Sequence, residues 1–587
     1  MRVVTANTPG TSSRWTRLIP VHAGFIVMAL CAVALFPSMA DAQWSGSPIV
    51  NNLISNAAFE QINPASVSDG AGGVIVAWQD KRGGSTFDIY AQRVSASGAV
   101  QWTANGRAIC TVDSDQVSPA IISDGSGGAI IAWQDKRNGS YDIYAQRVNG
   151  SGALQWSPST GDSVCKVVFD QVSIAMSSDG SGGALIAWED YRSNAGPGMA
   201  DVYTQKLNAA GVPQWTSNGI GVCTQAAAQH GPRIISDGGG GAFLTWYDQR
   251  AGDYDIYAQR VTAIGGLVGI ADGVAVCTSG TDQTNPDICS DGAGGAILVW
   301  QDARSTTDVD IWVQRMSPAV AIRWLVNGIV MNNNVAYDQV NPKLVADGIG
   351  GAMMTWEDFR TGITSDIYAQ RVDSTGVVAT GWNVNGVIIC VSASNQSSPK
   401  IISDSSQGAI ITWSDKRDSS TNGNTYDVYA SRITGSFALP WTANGVPICV
   451  ADSTQMNPTA VVDGSGGAIV VWQDKRSGIY DIYASRVYAS GSTTLAENDG
   501  TAPAGFTLSQ NYPNPFNPST VIEYSLEKNA QVSLKVYNVL GVEVATLVNG
   551  RQEAGSYIVP FGITNGTLGL PSGVYFYRLE AGAFASV

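Results

Sequence analysis

The stretch 133–147 reads WQDKRNGSYDIYAQR, and close relatives of it occur eight times along this chain of 587 residues. Each copy is anchored by a tryptophan at the end of an apolar run, and successive tryptophans are about 55 residues apart. These are Trp78, Trp133, Trp188, Trp246, Trp300, Trp356, Trp413 and Trp472. A regular spacing of this size indicates an array of similar structural units.

The second repeat illustrates the fold of one unit. Residues 118–123 are rich in β-formers, the SDGSGG sequence at 123–128 predicts a tight turn, and the apolar run 129–133 predicts a strand buried on both faces. Residues 141–148 alternate as a half-buried strand does, and ALQW at 153–156 opens a predicted fourth strand. Four strands, repeated without helical periodicity, are typical of a β-propeller blade. We therefore expect each anchoring Trp to pack between neighbouring blades.

The two ends of the array predict ring closure. Residues 43–50 resemble the segment 441–449 that opens a fourth strand, and the last repeat stops after its third strand at 480–491. An N-terminal strand can therefore complete the last blade. The predicted fold is all-β, an eight-bladed β-propeller over residues 43–490, with tandem two-layer sandwiches as the alternative.

Composition excludes some partners. The net charge is −15, and no basic stripe is present to neutralise phosphates, so nucleic acid is not expected as a partner. Six cysteines occupy one equivalent place in separate repeats, too far apart for disulfides, and Cys289 stands where other repeats have Ile or Val. We expect all seven to be buried packing residues; the six are Cys110, Cys165, Cys223, Cys277, Cys390 and Cys449.

The N-terminus has the features of an export signal. Arginines precede an apolar run from about Phe25 to Phe36, and the small-x-small pattern Ala40-Asp41-Ala42 follows it. We predict a signal peptide over 1–42, cleaved between Ala42 and Gln43. The apolar run is shorter than a membrane-spanning helix requires, and no stable membrane span is expected.

The arginine of each W-x-D-x-R motif is a candidate ligand-binding residue. A ring of guanidinium groups suits recognition of anionic glycans or carboxylates, whereas the alternative is that each Arg pairs with the Asp two residues earlier. The candidates are Arg82, Arg137, Arg192, Arg250, Arg304, Arg360, Arg417 and Arg476.

A recurrent glutamine leads into the first strand of each unit. It could bind sugar hydroxyls around a channel, or it could satisfy backbone groups of a neighbouring blade. The candidates are Gln61, Gln116, Gln171, Gln229, Gln283, Gln339, Gln396 and Gln455.

Catalytic and metal-binding patterns are weak in this sequence. His230 is the single histidine that remains after signal removal, which argues against His-based triads and His-rich metal sites. The SDGxGG turns offer one carboxylate each, fewer oxygens than calcium needs. Acidic residues recur in every repeat, whereas an active site should break the symmetry. We therefore predict no catalytic residue, no metal site, no cofactor and no enzymatic activity.

Beyond a polar linker at 491–505 the character of the chain changes. The sequences NYPNPFNPST (511–520), LKVYNVLGVEVATL (534–547) and SGVYFYRL (572–579) precede an end at EAGAFASV. Alternating residues predict a small β-sandwich over 506–587. Residues 506–582 closely resemble the type A C-terminal sorting domain of the bacterial type IX secretion system. Such domains continue into a further strand with a basic end, so we expect truncation or impaired sorting here.

This resemblance implies export from a Gram-negative bacterium through the type IX machinery, followed by release or attachment at the outer surface. From the sequence we predict a monomeric, non-catalytic binding or adhesion propeller for an extracellular glycan or protein. The alternatives are a secreted polysaccharide-degrading enzyme and a structural component of the surface layer.

Overall fold

The computed structural model describes residues 44–587 except 194–198, 306, 333–335, 418–424, 495–504, 509–510, 512–518, 553–554, 563–573, 583 and 587. The predicted signal peptide and most of the predicted linker lie outside these residues. Within them every regular element is a β-strand, and none forms a helix that could cross a bilayer. The expectation of an all-β protein is confirmed.

Eight antiparallel sheets follow one another over the described part of residues 52–487. The first strands are β2 (Gln61–Ser68), β6 (Gln116–Ser123), β10 (Gln171–Ser178), β14 (Gln229–Ser236), β19 (Gln283–Ser290), β23 (Gln339–Ala346), β27 (Gln396–Ser403) and β31 (Gln455–Val462). The second strands are β3 (Val74–Asp80), β7 (Ala129–Asp135), β11 (Ala184–Asp190), β15 (Ala242–Asp248), β20 (Ala296–Asp302), β24 (Ala352–Asp358), β28 (Ala409–Asp415) and β32 (Ala468–Asp474).

The third and fourth strands lie progressively further out. The third strands are β4 (Asp88–Val94), β8 (Asp142–Val148), β12 (Asp201–Leu207), β16 (Asp255–Val261), β21 (Asp310–Met316), β25 (Asp366–Val372), β29 (Asp427–Ile433) and β33 (Asp481–Val487). The fourth strands are β5 (Arg107–Cys110), β9 (Asp162–Cys165), β13 (Ile220–Cys223), β18 (Val274–Cys277), β22 (Ile329–Val330), β26 (Val387–Cys390), β30 (Val446–Cys449) and β1 (Asn52–Ser55), with the short β17 (Leu267–Val268) added in the fourth sheet.

The sequence placed the fourth strand too early. In the second repeat it runs over Asp162–Cys165, whereas the predicted start at 153–156 contains Trp156, which is outside any strand. The indole Nε1 of Trp156 donates to the carbonyl of Ala209 in the next repeat, 3.0 Å away. This tryptophan therefore connects neighbouring units, and the pattern of apolar residues around it is not that of a strand.

The N-terminal strand completes the last sheet, as the sequence predicts. Strand β1 pairs antiparallel with β33, with Leu53 opposite Tyr483. The strand occupies Asn52–Ser55, so the predicted location at 43–50 is wrong by several residues. Each first strand contacts the first strands of the two adjoining sheets, and β2 contacts β31. We call these eight strands the inner ring.

Each first strand is irregular near its beginning. In β6 the register with β7 shifts between Val117 and Ala120, and Ser118 has a φ of 52°. Pro119 follows and has no N–H for the ladder, which favours a bulge at this point. The bulge leaves the third residue of the strand exposed at one end of the inner ring.

The core consists of layers between adjacent sheets. The anchoring tryptophans are fully buried, and Trp133 packs against Ile75 and Ile89 of the preceding sheet. The prediction that these residues lie between units is confirmed. The seven cysteines in the described residues are buried and free, as expected.

The C-terminal residues form two further sheets. One contains β34 (Thr507–Leu508), β35 (Ser519–Leu526) and β38 (Gly555–Gly562), and the other contains β36 (Ala530–Asn538), β37 (Glu543–Gln552), β39 (Tyr575–Ala581) and β40 (Phe584–Ser586). Side chains from both sheets, among them Tyr524 and Leu534, share one apolar cluster.

Candidate active site

The arginines of the W-x-D-x-R motifs are all paired with their own aspartates. Arg137 donates through Nε to Asp135 Oδ1 at 2.8 Å and through Nη2 to the carbonyl of Thr160 at 2.9 Å, while Nη2 also lies against Asp135 Oδ2. The Asp135 carboxylate is fully buried. The same ion pair forms in the other seven repeats.

An aromatic ring covers each of these guanidinium groups. The Cζ of Arg137 lies 3.9 Å from the ring centroid of Tyr144, and Trp312 takes this role for Arg304 at 3.4 Å. Both the donors and one face of the group are therefore engaged within the protein. In the structure each of these arginines pairs with the Asp two residues earlier. Ligand binding by the arginines stays a prediction.

The recurrent glutamines are buried at the start of each first strand, where they donate hydrogen bonds to backbone carbonyls. Gln116 has no exposed surface, and its Nε2 donates to the carbonyls of Val112 and Ser114 at 3.0 and 2.9 Å. In six of the eight, within the described residues, the Oε1 atom is buried without a hydrogen-bond partner. Sugar binding by this set also stays a prediction.

The aspartates of the SDGxGG turns are likewise engaged. Asp124 Oδ1 accepts from the backbone N–H groups of Ser126 and Gly128, each at 2.8 Å, and Oδ2 pairs with Arg147 at 2.9 Å. In the described part of the chain no three His, Cys, Asp or Glu side chains come together as a metal site.

A second recurrent contact links adjacent sheets at the exposed bulges. It uses the middle residue of W-x-D, and Gln79 shows its usual form: Oε1 accepts from Asn63 Nδ2 and from the Ser118 N–H, both at 2.9 Å. Gln473 and Gln301 make the corresponding contacts. This acceptor holds the bulge of the next first strand in place.

Glutamate replaces glutamine at this position in the third and sixth repeats. Glu357 still acts as the plain acceptor, because its Oε1 receives Asn341 Nδ2 at 3.0 Å and the Ser398 N–H at 2.8 Å. Burial raises the pKa of Glu357, and these hydrogen bonds only partly oppose the shift.

Glu189, in contrast, holds an imidazole. Its Oε1 accepts the Gly231 N–H at 2.9 Å, and its Oε2 lies 3.0 Å from Nδ1 of His230 in the next sheet. Burial alone favours the neutral acid, but the hydrogen bonds from His230 and Gly231 outweigh it and lower the pKa of Glu189. Glu189 is therefore an anion, which can only accept, so Nδ1 of His230 donates to it; in the neutral form of this imidazole the lone pair lies on Nε2.

Two tyrosines flank this His230–Glu189 pair. The ring centroids of Tyr247 and Tyr254 lie 5.7 and 6.2 Å from that of His230, and the two tyrosines meet edge to face at 5.1 Å. The His230 side chain is 20% exposed, and its Nε2 has no hydrogen bond to any described residue. The arrangement is an accessible base oriented by a buried carboxylate.

A break in the repeat pattern marks this pair in the sequence. At the position of His230 the other repeats have Ile62, Val117, Val172, Thr284, Val340, Ser397 and Met456. A single histidine weighs against His-based triads and His-rich metal sites, whereas one imidazole and one carboxylate are enough for a general base. The repeat is broken at two positions that face each other between adjacent sheets, and only the fold brings those positions together.

Comparisons with known proteins were made for the whole chain. No family model matches it, and no curated protein matches it. Among solved structures it is similar to a puromycin hydrolase mutant (13% identity, TM-score 0.38, covering 74% of this chain and 61% of that one). It is also similar to a Penicillium chrysogenum α-L-arabinanase (11%, 0.32, covering 75% and 98%) and to a Bacteroides thetaiotaomicron endo-arabinase (13%, 0.25, covering 42% and 89%).

These comparisons correct the functional prediction. The structures named above are hydrolases, which contradicts the prediction of a non-catalytic binding or adhesion protein and the prediction that the chain is not an enzyme. At these identities the likeness concerns the fold alone, so the candidate catalytic residues are taken from this chain's own geometry.

Proposed function

We propose that the protein is an extracellular polysaccharide-degrading enzyme in which His230 is the general base. The observation that carries the proposal is the 3.0 Å contact between His230 Nδ1 and the ionised Glu189. It directs Nε2 away from the carboxylate as the ring nitrogen able to take a proton. The pair occurs at one place in an otherwise repetitive ring, as a single active site requires.

The pair is suited to hydrolysis by an activated water. Nε2 of His230 takes a proton from a water molecule while the water oxygen bonds to the anomeric carbon of the sugar. The glycosidic carbon–oxygen bond breaks, its electron pair remains on the leaving oxygen, and that oxygen takes a proton from solvent, to which the imidazolium later releases its own. One water is consumed and two shorter chains form. Glu189 stabilises the imidazolium between the two proton transfers.

The tyrosines give the proposed site a surface for sugars. Tyr247 and Tyr254 are partly exposed and adjoin the imidazole, and aromatic faces present apolar area with a polar group at the end. We assign them to substrate positioning.

For the architecture, we propose a closed eight-bladed propeller and a C-terminal β-sandwich. The cyclic contacts of the inner ring and the pairing of β1 with β33 support the first. The apolar cluster shared by the two C-terminal sheets supports the second.

For localisation, we propose export as a monomer to the outer surface or medium of a Gram-negative bacterium by the type IX machinery. Support comes from the resemblance of residues 506–582 to type A sorting domains and from the signal-like N-terminus.

The first prediction concerns the base and uses residues that the repeats themselves supply. His230→Val installs the residue of Val117, Val172 and Val340, and Glu189→Gln installs that of Gln79. We expect cleavage of a responsive polysaccharide to fall by roughly 10²–10⁴-fold in His230→Val, because general-base catalysis contributes about that much. Reducing-end release by the purified full chain over a panel of polysaccharides is the measurement.

The matched control is Glu357→Gln, which makes the same chemical change where no histidine is present. We expect Glu189→Gln to lower kcat while Glu357→Gln leaves it unchanged, with KM similar in both. Wild-type rates in His230→Val, or equal losses in the two glutamine variants, would contradict the assignment.

A further inference from the structure

The fifth residue of each inner-ring strand changes character around the ring. Four consecutive sheets have charged residues there, whereas the remaining four have small ones. In chain order the residues are Ala65, Ala120, Ala175, Arg233, Asp287, Lys343, Lys400 and Thr459. Because three of the sheets have alanine at this position, the fold itself does not require a charged residue there.

The four charged side chains lie together along adjacent strands. Arg233 Nε is 3.9 Å from Asp287 Oδ1, and Asp287 Oδ2 accepts the Leu344 N–H at 3.2 Å. Each side chain therefore reaches towards the following first strand. Lys343 Nζ donates only to the carbonyl of Pro342, at 3.0 Å, and Lys400 has no hydrogen bond or ion pair with any described residue.

The cluster contains more positive charge than it neutralises. Three cations lie near two carboxylates, Asp287 and Glu357, and the separation between Arg233 and Asp287 is too long for a hydrogen bond. Burial lowers the pKa of Lys343 to about 8; Asp287 and Glu357 oppose this shift, whereas Arg233 and Lys400 add to it. An unneutralised cluster of this kind is destabilising by itself and is relieved by a bound anion.

Solvent reaches the cluster. The Arg233 side chain is 42% exposed and that of Asp287 is 19% exposed, and Lys400 is exposed as well. The chain has a net charge of −15, whereas this cluster is locally positive. The cluster therefore attracts anions to the inner ring.

We propose that Arg233, Lys343 and Lys400 bind a carboxylate or sulfate group of an acidic polysaccharide inside the inner ring. This names the substrate class and rests on the proposed function. The guanidinium and the two ammonium groups provide charge-assisted donors for such oxygens. Neutral polysaccharides lack the group that the cluster requires.

The test is equilibrium binding by calorimetry with the full chain in the His230→Val background, so that cleavage does not interfere. The probes are oligogalacturonate, a sulfated galactan oligosaccharide, fully methyl-esterified oligogalacturonate and inorganic sulfate. The variant Lys343→Ala/Lys400→Ala installs the residue of Ala65 and Ala120. The control Lys416→Ala/Lys475→Ala removes the same charge from lysines that lie over Tyr426 and Tyr480, outside the inner ring.

We expect an acidic oligosaccharide to bind, its methyl ester not to bind, and the Lys343→Ala/Lys400→Ala variant to weaken binding at least about tenfold, as loss of charged hydrogen bonds does. The control pair should bind like the parent. Equal binding of acid and ester, unchanged binding in the variant, or binding of inorganic sulfate alone would overturn the proposal. Product analysis after each titration shows whether the His230→Val variant still cleaves, so a failure of the base assignment is distinguished from a failure of binding.

Discussion

At the scale of single residues, one cluster explains why the quoted stretch recurs. Trp133 Nε1 donates to Asp135 Oδ2 at 2.8 Å, and Arg137 joins that carboxylate to Cys110 Sγ of the preceding fourth strand at 3.1 Å. One buried carboxylate thus satisfies an indole and a guanidinium while linking two sheets. Because every pair of sheets presents the same packing problem, the same residues recur.

A residue-scale prediction concerns the glycine that precedes the fourth strand. A Cβ on Gly161, whose φ is 94°, would lie 2.5 Å from Trp133 Cη2. Gly161→Ala is expected to lower the free energy of unfolding by about 1–3 kcal/mol more than Gly139→Ala, since overpacking adds to the backbone cost. Gly139 has a φ of 99° with no atom within 4 Å of the added carbon, so it isolates the backbone effect. Urea unfolding provides the comparison, and equal losses would show that the tryptophan moves aside.

At the scale of elements, the second strands are buried along nearly their whole length. Strand β3 is buried at all seven positions, as its unbroken apolar run predicts, whereas the third strand β4 alternates. Short loops then place the bulges and the W-x-D ends of the second strands at one end of the inner ring. That placement is what sets His230 beside Glu189.

The element-scale prediction tests closure by β1. Ile54 is 3% exposed in a cluster with Trp78, whereas its neighbour Leu53 is 37% exposed. We expect Ile54→Asp to destabilise the repeat array by about 3 kcal/mol or more, because it buries an unpaired charge. Leu53→Asp in the same strand should change stability by less than about 0.5 kcal/mol. Thermal unfolding of the full chain measures both, and a harmless Ile54→Asp would argue against closure through this strand.

At the scale of the whole molecule, each third strand begins with an aspartate, and most of these aspartates have a raised pKa. Burial, the largest cause, raises their pKa from 3.8 to about 6 in six repeats, at Asp88, Asp201, Asp255, Asp310, Asp366 and Asp481. A raised folded-state pKa means that the folded protein binds these protons more tightly than the unfolded chain. The stability that these aspartates add to the folded state is complete below about pH 4 and is lost as the pH rises through 6.

We therefore expect the melting temperature to increase as the pH falls from 7.5 to 5. Asp366→Asn removes one such charge, since Asp366 Oδ2 has no hydrogen-bond partner among the described residues. This variant should be more stable than wild type at pH 7.5 and show a weaker pH dependence, measured by calorimetry. A melting temperature that falls on mild acidification would contradict the burial argument.

Several features could be read from the sequence alone. The spacing of the tryptophans, the SDGxGG turns and the apolar runs predicted four-stranded units, the packing of Trp133 between sheets and the free cysteines, because these depend on local pattern and repetition. The fourth strand was misplaced because Trp156 packs against the next repeat, a contact that no local pattern encodes.

The sequence by itself determined an all-β array whose last unit is completed by an N-terminal strand, since alternation, turns and repeat length are properties of neighbouring residues. The tertiary structure alone decided which repeat-breaking residues meet. Glu189 and His230 are 41 positions apart, and Arg233 and Lys400 are farther apart still. They approach because the inner ring brings together equivalent positions of different sheets, and that geometry sets both the His230–Glu189 pair and the cation cluster.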